Sequence, residues 1–525
     1  MTWTPFHSFL AAIYLVALLL VGILTGRKKR DSNQFLNATG ALPLWVCLAA
    51  CIAANCGSLD VIAMMALGAQ YGMLACHFYW IGAIPALLVL VFWLLPAYAQ
   101  GRYPTVLDFL GRFYGQKTRS LVALCMAAMM MLLAGVCLCA VAQVLVVFFG
   151  LTFSQGILLT APIVLFYTWT GGLRATIYTE LLHFAVVLTA VAPLSFMVIH
   201  DFGGVHHLLA AIPASRVHAW QTLPFFSPHS VMDRIGLIGG LGVVLSFGYW
   251  STDFVLMQRA LAVRRPQDVH YVPLALASAK LIFAFLIVLP GVAAPLVLHF
   301  RSAANWNTTL PAMMLHYYSP AWEVIGIMGL AATLMATFAN NVSGFSSAWV
   351  QGIYRPWVRP QADEKHYLWM SRMTNAAAVL LAVGAAYLAL EYQSLMDYIQ
   401  MLFSTFNAPL FALVALAALA PRRVARGGLA GFSLGLASTA LNQTLVRAGV
   451  LHFGSQMSAN FYTAMLGFCV TVVAMLAFGW VRGEASEQPV AAVAPALRPA
   501  RVSLPVVLAA GGIAGLCILF NLLVW

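Results

Sequence analysis

Charge is what this chain lacks. Only 8% of its 525 residues are Asp, Glu, Lys or Arg, where a soluble protein carries about a quarter. That scarcity excludes an ordinary water-soluble globule. No nucleotide-binding motif, kinase module or stretch resembling a soluble domain is found. The nine cysteines (47, 51, 56, 76, 125, 137, 139, 469 and 517) fall in apolar runs without ligand-like spacing, so they read as small buried hydrophobes. No nucleophile–base pairing or His/Glu metal motif lies on an apolar run, which argues against a membrane enzyme. A net charge of +12 suits nucleic acid in principle, but its distribution points to a membrane instead.

What is present is hydrocarbon: 62% of the residues are hydrophobic, in long runs from end to end. Runs of about 20 residues without alternation select helices over a barrel in lipid. We read about fourteen spans, the first at 6–25 and the last at 503–524. The first is followed by its basic cluster, "RKKR" at 27–30. A signal peptide has the reverse order, so this run is expected to be retained with the N-terminus outside. The positive-inside rule supports that count. The inner loops then hold 22 Lys and Arg, the outer loops four, and Lys280 lies within a span. The expectation is a multi-pass protein of the plasma (inner) membrane with both termini outside. The outer loop 201–233 holds His206, His207, His218 and His229, which read as scattered loop histidines rather than a metal site. Segment 483–502 is Ala/Pro-rich and reads as a flexible linker.

Ionisable residues inside a span are costly and usually functional. Here they are Asp60, Glu180, Asp253 and Lys280. Polar and small residues crowd three places: "AANCGSLD" at 53–60, "SFGYWSTD" at 246–253 and "TLMATFANNVSGFSS" at 333–347. Gly57 weakens a helix by about 1 kcal/mol relative to Ala. Asn55 and Ser58 can offer the backbone an alternative to the helix ladder. The alternative reading of 53–60 is a polar contact between helices. The first two places lie five spans apart, so the second unit enters from the opposite side. Two five-helix units of opposite topology, each opening on an interrupted helix, are the plan of secondary transporters. The expected organisation is residues 1–41 as an extra helix and basic loop, 42–200 as repeat one, loop 201–233, 234–420 as repeat two, and 421–525 as three further helices with the linker.

Seven stretches in order resemble the sodium:solute symporter family, which includes the sodium–glucose symporters. They are "FLNATGALPLW", "AANCGSLDVIA", "TGGLRATIYTELLHF", "GYWSTDFVLMQRALAV", "AKLIFAFLIVLPGVA", "NNVSGFSSAWVQGIYR" and "YIQMLFSTFNAPLFALVALAALAPRR". The resemblance covers nearly the whole chain. It implies the LeuT-type inverted repeat with alternating access. It also implies a sodium site from the carbonyls of Ala53, Cys56 and Thr333 and two hydroxyl positions, here Ala336 and Thr337. Ala336 departs from the family, since a methyl offers sodium no oxygen. The substrate residues implied are Asn55, Asp60, Tyr79, Ser246 and Lys280. Of these, Asn55 and Lys280 keep the family's type, while Asp60, Tyr79 and Ser246 replace Gln, Glu and Asn. Asp60 can then pair with Lys280 across the cavity. Tyr249 matches the inner-gate tyrosine, with Trp250 beside it. Glu180 stands at a position usually Asp and is implied in cation release, either directly or by carrying a proton. Its alternative is an ion pair with Arg174.

The function expected is sodium-driven import of a small polar solute, a sugar or related neutral compound. The absence of a further Arg deep in any span argues against a carboxylate held bidentately. The alternatives are import of an organic acid or amino acid with sodium or protons, and an uncoupled facilitator or solute sensor. Solute, sodium ion and lipid bilayer are the partners expected. Neither nucleic acid nor an obligate protein partner is implied.

Overall fold

Backbone groups in hydrocarbon must be paired within the protein, and this apolar chain is accordingly helical. A computed structural model of the chain describes residues 42–95, 105–170, 173–299, 305–419, 424–482 and 502–523. Among them there is no strand, only one isolated β-bridge between Leu42 and Val263. We label the principal helices α1 (Leu44–Asn55), α2 (Ser58–Tyr71), α3 (Gln116–Phe149), α4 (Phe153–Thr170), α5 (Leu173–Asp201), α6 (Ser246–Thr252) and α7 (Phe254–Leu261). They continue with α8 (Tyr271–Phe283), α9 (Pro320–Trp349), α10 (Glu364–Leu390), α11 (Leu395–Leu419), α12 (Gly428–Arg447), α13 (Gln456–Arg482) and α14 (Leu504–Leu523).

Among the described residues nine helices are long and apolar enough to cross a membrane, or ten if the bent pair Gly236–Thr252 and Val255–Leu261 is one span. That is fewer than the fourteen expected, for particular reasons. The run at 6–25, the basic cluster 27–30 and most of the linker 483–502 lie outside the described residues. The run at 42–71 is cut in two, and its second half belongs to a helical stretch Ser58–Leu94. α12 carries Ser, Thr, Asn and Gln along an otherwise apolar helix, which lowers its hydropathy.

Both expected interruptions are present, and one is displaced. α1 ends at Asn55, Cys56 leaves helical geometry (φ −125°, ψ 31°), Gly57 is extended (ψ −175°), and α2 starts at Ser58. The second was expected across 246–253. Instead α6 is helical over that stretch and follows directly on a π-helical segment, Gly236–Leu245. The break is the single residue Asp253 (ψ 105°), whose Oδ1 accepts from the Val255 N–H 2.9 Å away and caps α7. The chain bends there by 51°. An aspartate at an N-cap satisfies a donor that the new helix end would leave orphaned, so one residue suffices.

α9 is the central pillar. It packs along α3, α5 and α10 and also touches α2. α1 lies against α7, α8 and α5. The cysteines are free, and all but Cys469 are buried, as expected of small hydrophobes. The loop histidines take part in no group of three His, Cys, Asp or Glu side chains suited to a metal among the described residues.

Candidate functional site

The site is built around the end of α1. A helix leaves its last four carbonyls without helical partners. Here the Cys56 N–H returns to the Ile52 carbonyl (2.8 Å), and the Asn55 amide donates to the Cys51 carbonyl (3.1 Å). Ser58 does offer its side chain to backbone, but across helices, donating to the Gly329 carbonyl of α9 (3.4 Å). Gly57 is needed for proximity, since its φ of −78° is open to any residue. A Cβ there would lie 2.9 Å from Thr333 Cγ2, 3.2 Å from the Ala53 carbonyl oxygen and 3.9 Å from Thr337 Oγ1. The close approach brings three of the five expected sodium residues together: Ala53, Thr333 and Thr337. Thr337 also donates to the Thr333 carbonyl (3.0 Å). Cys56 is buried beside them in the break. Ala336 is buried on α9 and brings only a methyl.

Four of the expected substrate residues meet on the other side of the break. Lys280 of α8 donates to the Asn55 carbonyl (2.8 Å) and to Asp60 Oδ2 (3.0 Å). Tyr79 donates to the same Asp60 oxygen (2.6 Å). The ammonium also lies 4.5 Å from the centre of the Tyr79 ring, a cation–π contact. The Asp60–Lys280 pairing anticipated from sequence is therefore present. The fifth residue, Ser246, lines the same cavity with its Oγ buried and without a partner.

That cavity measures about 200 Å³. Tyr249 forms one aromatic side, with its ring 4.8 Å from those of Trp250 and Phe403. Trp250 is fixed by donation from its indole N–H to the Gly82 carbonyl (3.1 Å). Gln400 also lines the cavity, 5% exposed, with Oε1 unpartnered. It escaped the sequence reading although it lies in a stretch quoted for the family resemblance, because an isolated Gln in an apolar run gives no periodic signal.

Glu180 lies one residue behind the cavity. Both its oxygens are 2.7 Å from the Arg259 guanidinium, and Oε1 also accepts from Asn340 (2.6 Å), which lines the cavity. This corrects three expectations. The partner of Glu180 is Arg259, while the Arg174 side chain lies outside the described residues. Arg259 belongs to helix α7, 1% exposed, and not to an inner loop. A deeply buried Arg thus exists, but it is committed to Glu180 and to the Val255 carbonyl (3.1 Å). Asp397 is a further buried acid that the sequence reading passed over. It accepts from Tyr71 (3.4 Å) and Gln70 (3.5 Å), joining the start of α11 to the end of α2.

Two interrupted helices around a central cavity with buried polar groups define a membrane transporter of the LeuT-type fold. A substrate-bound, outward-open structure of a Na+-coupled sialic acid symporter matches it with a TM-score of 0.75, covering 91% of this chain and 98% of that one at 15% identity. The model of the sodium:solute symporter family matches residues 35–435, and the chain belongs to that family. A sodium/glucose cotransporter of Vibrio parahaemolyticus is 24% identical over 456 residues, 80% of this chain and 82% of that protein. Sodium/glucose cotransporter 1 of Ovis aries is 25% identical over 465 residues, 81% and 69% respectively. The chain is a multi-pass membrane transporter, not an enzyme.

Proposed function

We propose that the protein imports a small, uncharged polar solute, a sugar or related compound, by sodium symport through alternating access. The observation that carries this reading is the Asp60–Lys280 pair lining a cavity of about 200 Å³ directly beside the break of α1 and α2. The pair neutralises itself, so the cavity asks for no net charge from its ligand. The unpartnered Ser246 Oγ and Gln400 Oε1 offer hydrogen bonds, and Tyr249, Trp250 and Phe403 offer ring faces. Sodium is assigned to the carbonyls of Ala53, Cys56 and Thr333 with the Thr337 hydroxyl. These are hard oxygen donors on α1 with the break that follows it and on α9, whose contact the ion strengthens. Solute and ion then raise each other's affinity by the same factor. Tyr249 covers the solute on the side facing the cytoplasm in the positive-inside orientation, with Trp250 bracing it. Glu180 assists cation release only when its bond to Arg259 opens.

The test is solute uptake into proteoliposomes with and without an inward sodium gradient, over a panel of sugars, polyols, amino acids and small acids. Concentrative uptake of a neutral polar solute that requires sodium supports the proposal. A second reading, an uncoupled facilitator, is favoured by the Ala336 methyl where the family has a hydroxyl. It predicts equal, non-concentrative uptake in both conditions.

A further inference from the structure

The end of α1 faces two ways. Its carbonyls form the negative pole of the helix dipole, equivalent to roughly half an elementary charge. The Asn55 carbonyl is turned toward α8 and is held by the Lys280 ammonium at 2.8 Å. The Ala53 carbonyl oxygen, Thr333 and Thr337 of α9 all border the point where Gly57 approaches α9. One helix end therefore carries a fixed cation on one side and the oxygens assigned to sodium on the other. Two positive charges at the same pole repel, and the low dielectric of the interior magnifies that repulsion. Asp60 moderates it, since its carboxylate holds Lys280 at 3.0 Å. Asp60 is also reachable: its side chain is 23% exposed against 4% for Lys280, and both residues line the solute cavity.

We infer that Lys280 is a positioning residue that couples the two sites: its charge on the Asn55 carbonyl holds down sodium affinity at the Ala53 side, and a solute that draws the ammonium off that carbonyl raises it. The inference rests on the sodium assignment above and adds the coupling route. One of the three ammonium hydrogens is spent on Asn55 and one on Asp60. The remaining one faces the Cys56 thiol, a weak acceptor that a solute hydroxyl can displace, which is how a neutral ligand can move the charge. No side chain has to pass between the two sites, because the shared helix end is itself the connection.

The experiment is a sodium titration of the purified full chain without solute, followed by thermal shift and tryptophan fluorescence, with potassium holding ionic strength constant. Lys280→Met is expected to tighten apparent sodium affinity about tenfold, about 1.4 kcal/mol. Asp60→Asn, which leaves the ammonium uncompensated, is expected to weaken it by a similar factor. The double variant should return to within roughly threefold of the unaltered chain, and Lys280→Arg, which keeps the charge, should stay close to it. A purely structural role would move Lys280→Met and Asp60→Asn in the same direction, and that result, or no change in either, overturns the coupling. Lys280→Arg also guards against a folding defect: a monodisperse Lys280→Arg protein with tightened sodium affinity equally overturns it. If the unaltered chain shows no response to sodium, the ion assignment itself fails and the coupling falls with it. That outcome is distinct from a responsive chain with unresponsive variants.

Discussion

Gly57 illustrates how one residue serves two sites. Its backbone angles suit any amino acid, yet a methyl there would press on Thr333 and on the Ala53 carbonyl. Overpacking of that kind costs about 1–3 kcal/mol, and here it would fall on the contact between α1 and α9. Gly57→Ala is expected to lower sodium affinity at least tenfold while leaving the protein folded, which sodium-dependent thermal shift and size-exclusion chromatography would measure. Unchanged affinity would place the ion elsewhere. Ala336 makes the complementary case. Ala336→Ser restores a hydroxyl oxygen and should lower the sodium concentration giving half-maximal uptake by several-fold. If half-activation does not move, the missing oxygen is irrelevant to the ion. Asp60 and Lys280 were legible singly from sequence as charges in a span, and their partnership followed from the family's arrangement. The role of Tyr79 as a second donor to Asp60 was not legible, because it depends on how the ring reaches across from the segment after α2.

Among the elements, α7 decides most about one end of the molecule. Arg259 on α7 ties it to Glu180 on α5. Leu42, just before α1, exchanges backbone hydrogen bonds with Ala262 and Arg264, just after α7 (3.0 and 3.1 Å). The distal halves of the two interrupted spans are thus fastened together. Breaking a buried ion pair by neutralising one partner typically costs about 3–5 kcal/mol, because the other charge stays buried and unpaired. Glu180→Gln should therefore lower the melting temperature clearly, and the double variant Glu180→Gln/Arg259→Met should recover much of it. Equal destabilisation by the single and double changes would show that the pair itself, rather than an orphaned charge, matters. The second break was located to within a few residues from sequence. Its reduction to Asp253 was not, since a capping aspartate and a polar run look alike until the helix is seen to continue through 246–252.

For the whole molecule, the membrane class and the transporter plan were legible because hydrocarbon imposes a strong, local rule on every residue of a span. Orientation is a prediction of the same kind. With 21 Lys and Arg left to inner loops once Arg259 is placed in α7, and four to outer ones, single cysteines introduced at positions 210 and 452 should react with an impermeant maleimide from outside intact cells. Cysteines at 265 and 362 should react only after permeabilisation. The reverse pattern would invert the topology and place the Tyr249 side of the cavity toward the outside.

Composition and the spacing of polar residues in apolar runs determined on their own that this chain is a helical membrane transporter with interrupted helices. They could do so because burying backbone and charge in lipid is penalised wherever it occurs in the chain. The tertiary structure alone decided the other partners of the buried charges: Glu180 with Arg259, Asp60 with Tyr79 besides the anticipated Lys280, and Asp397 with Tyr71. Such pairings join residues up to 326 positions apart. They depend on helix rotation and close approach, which hydropathy does not encode.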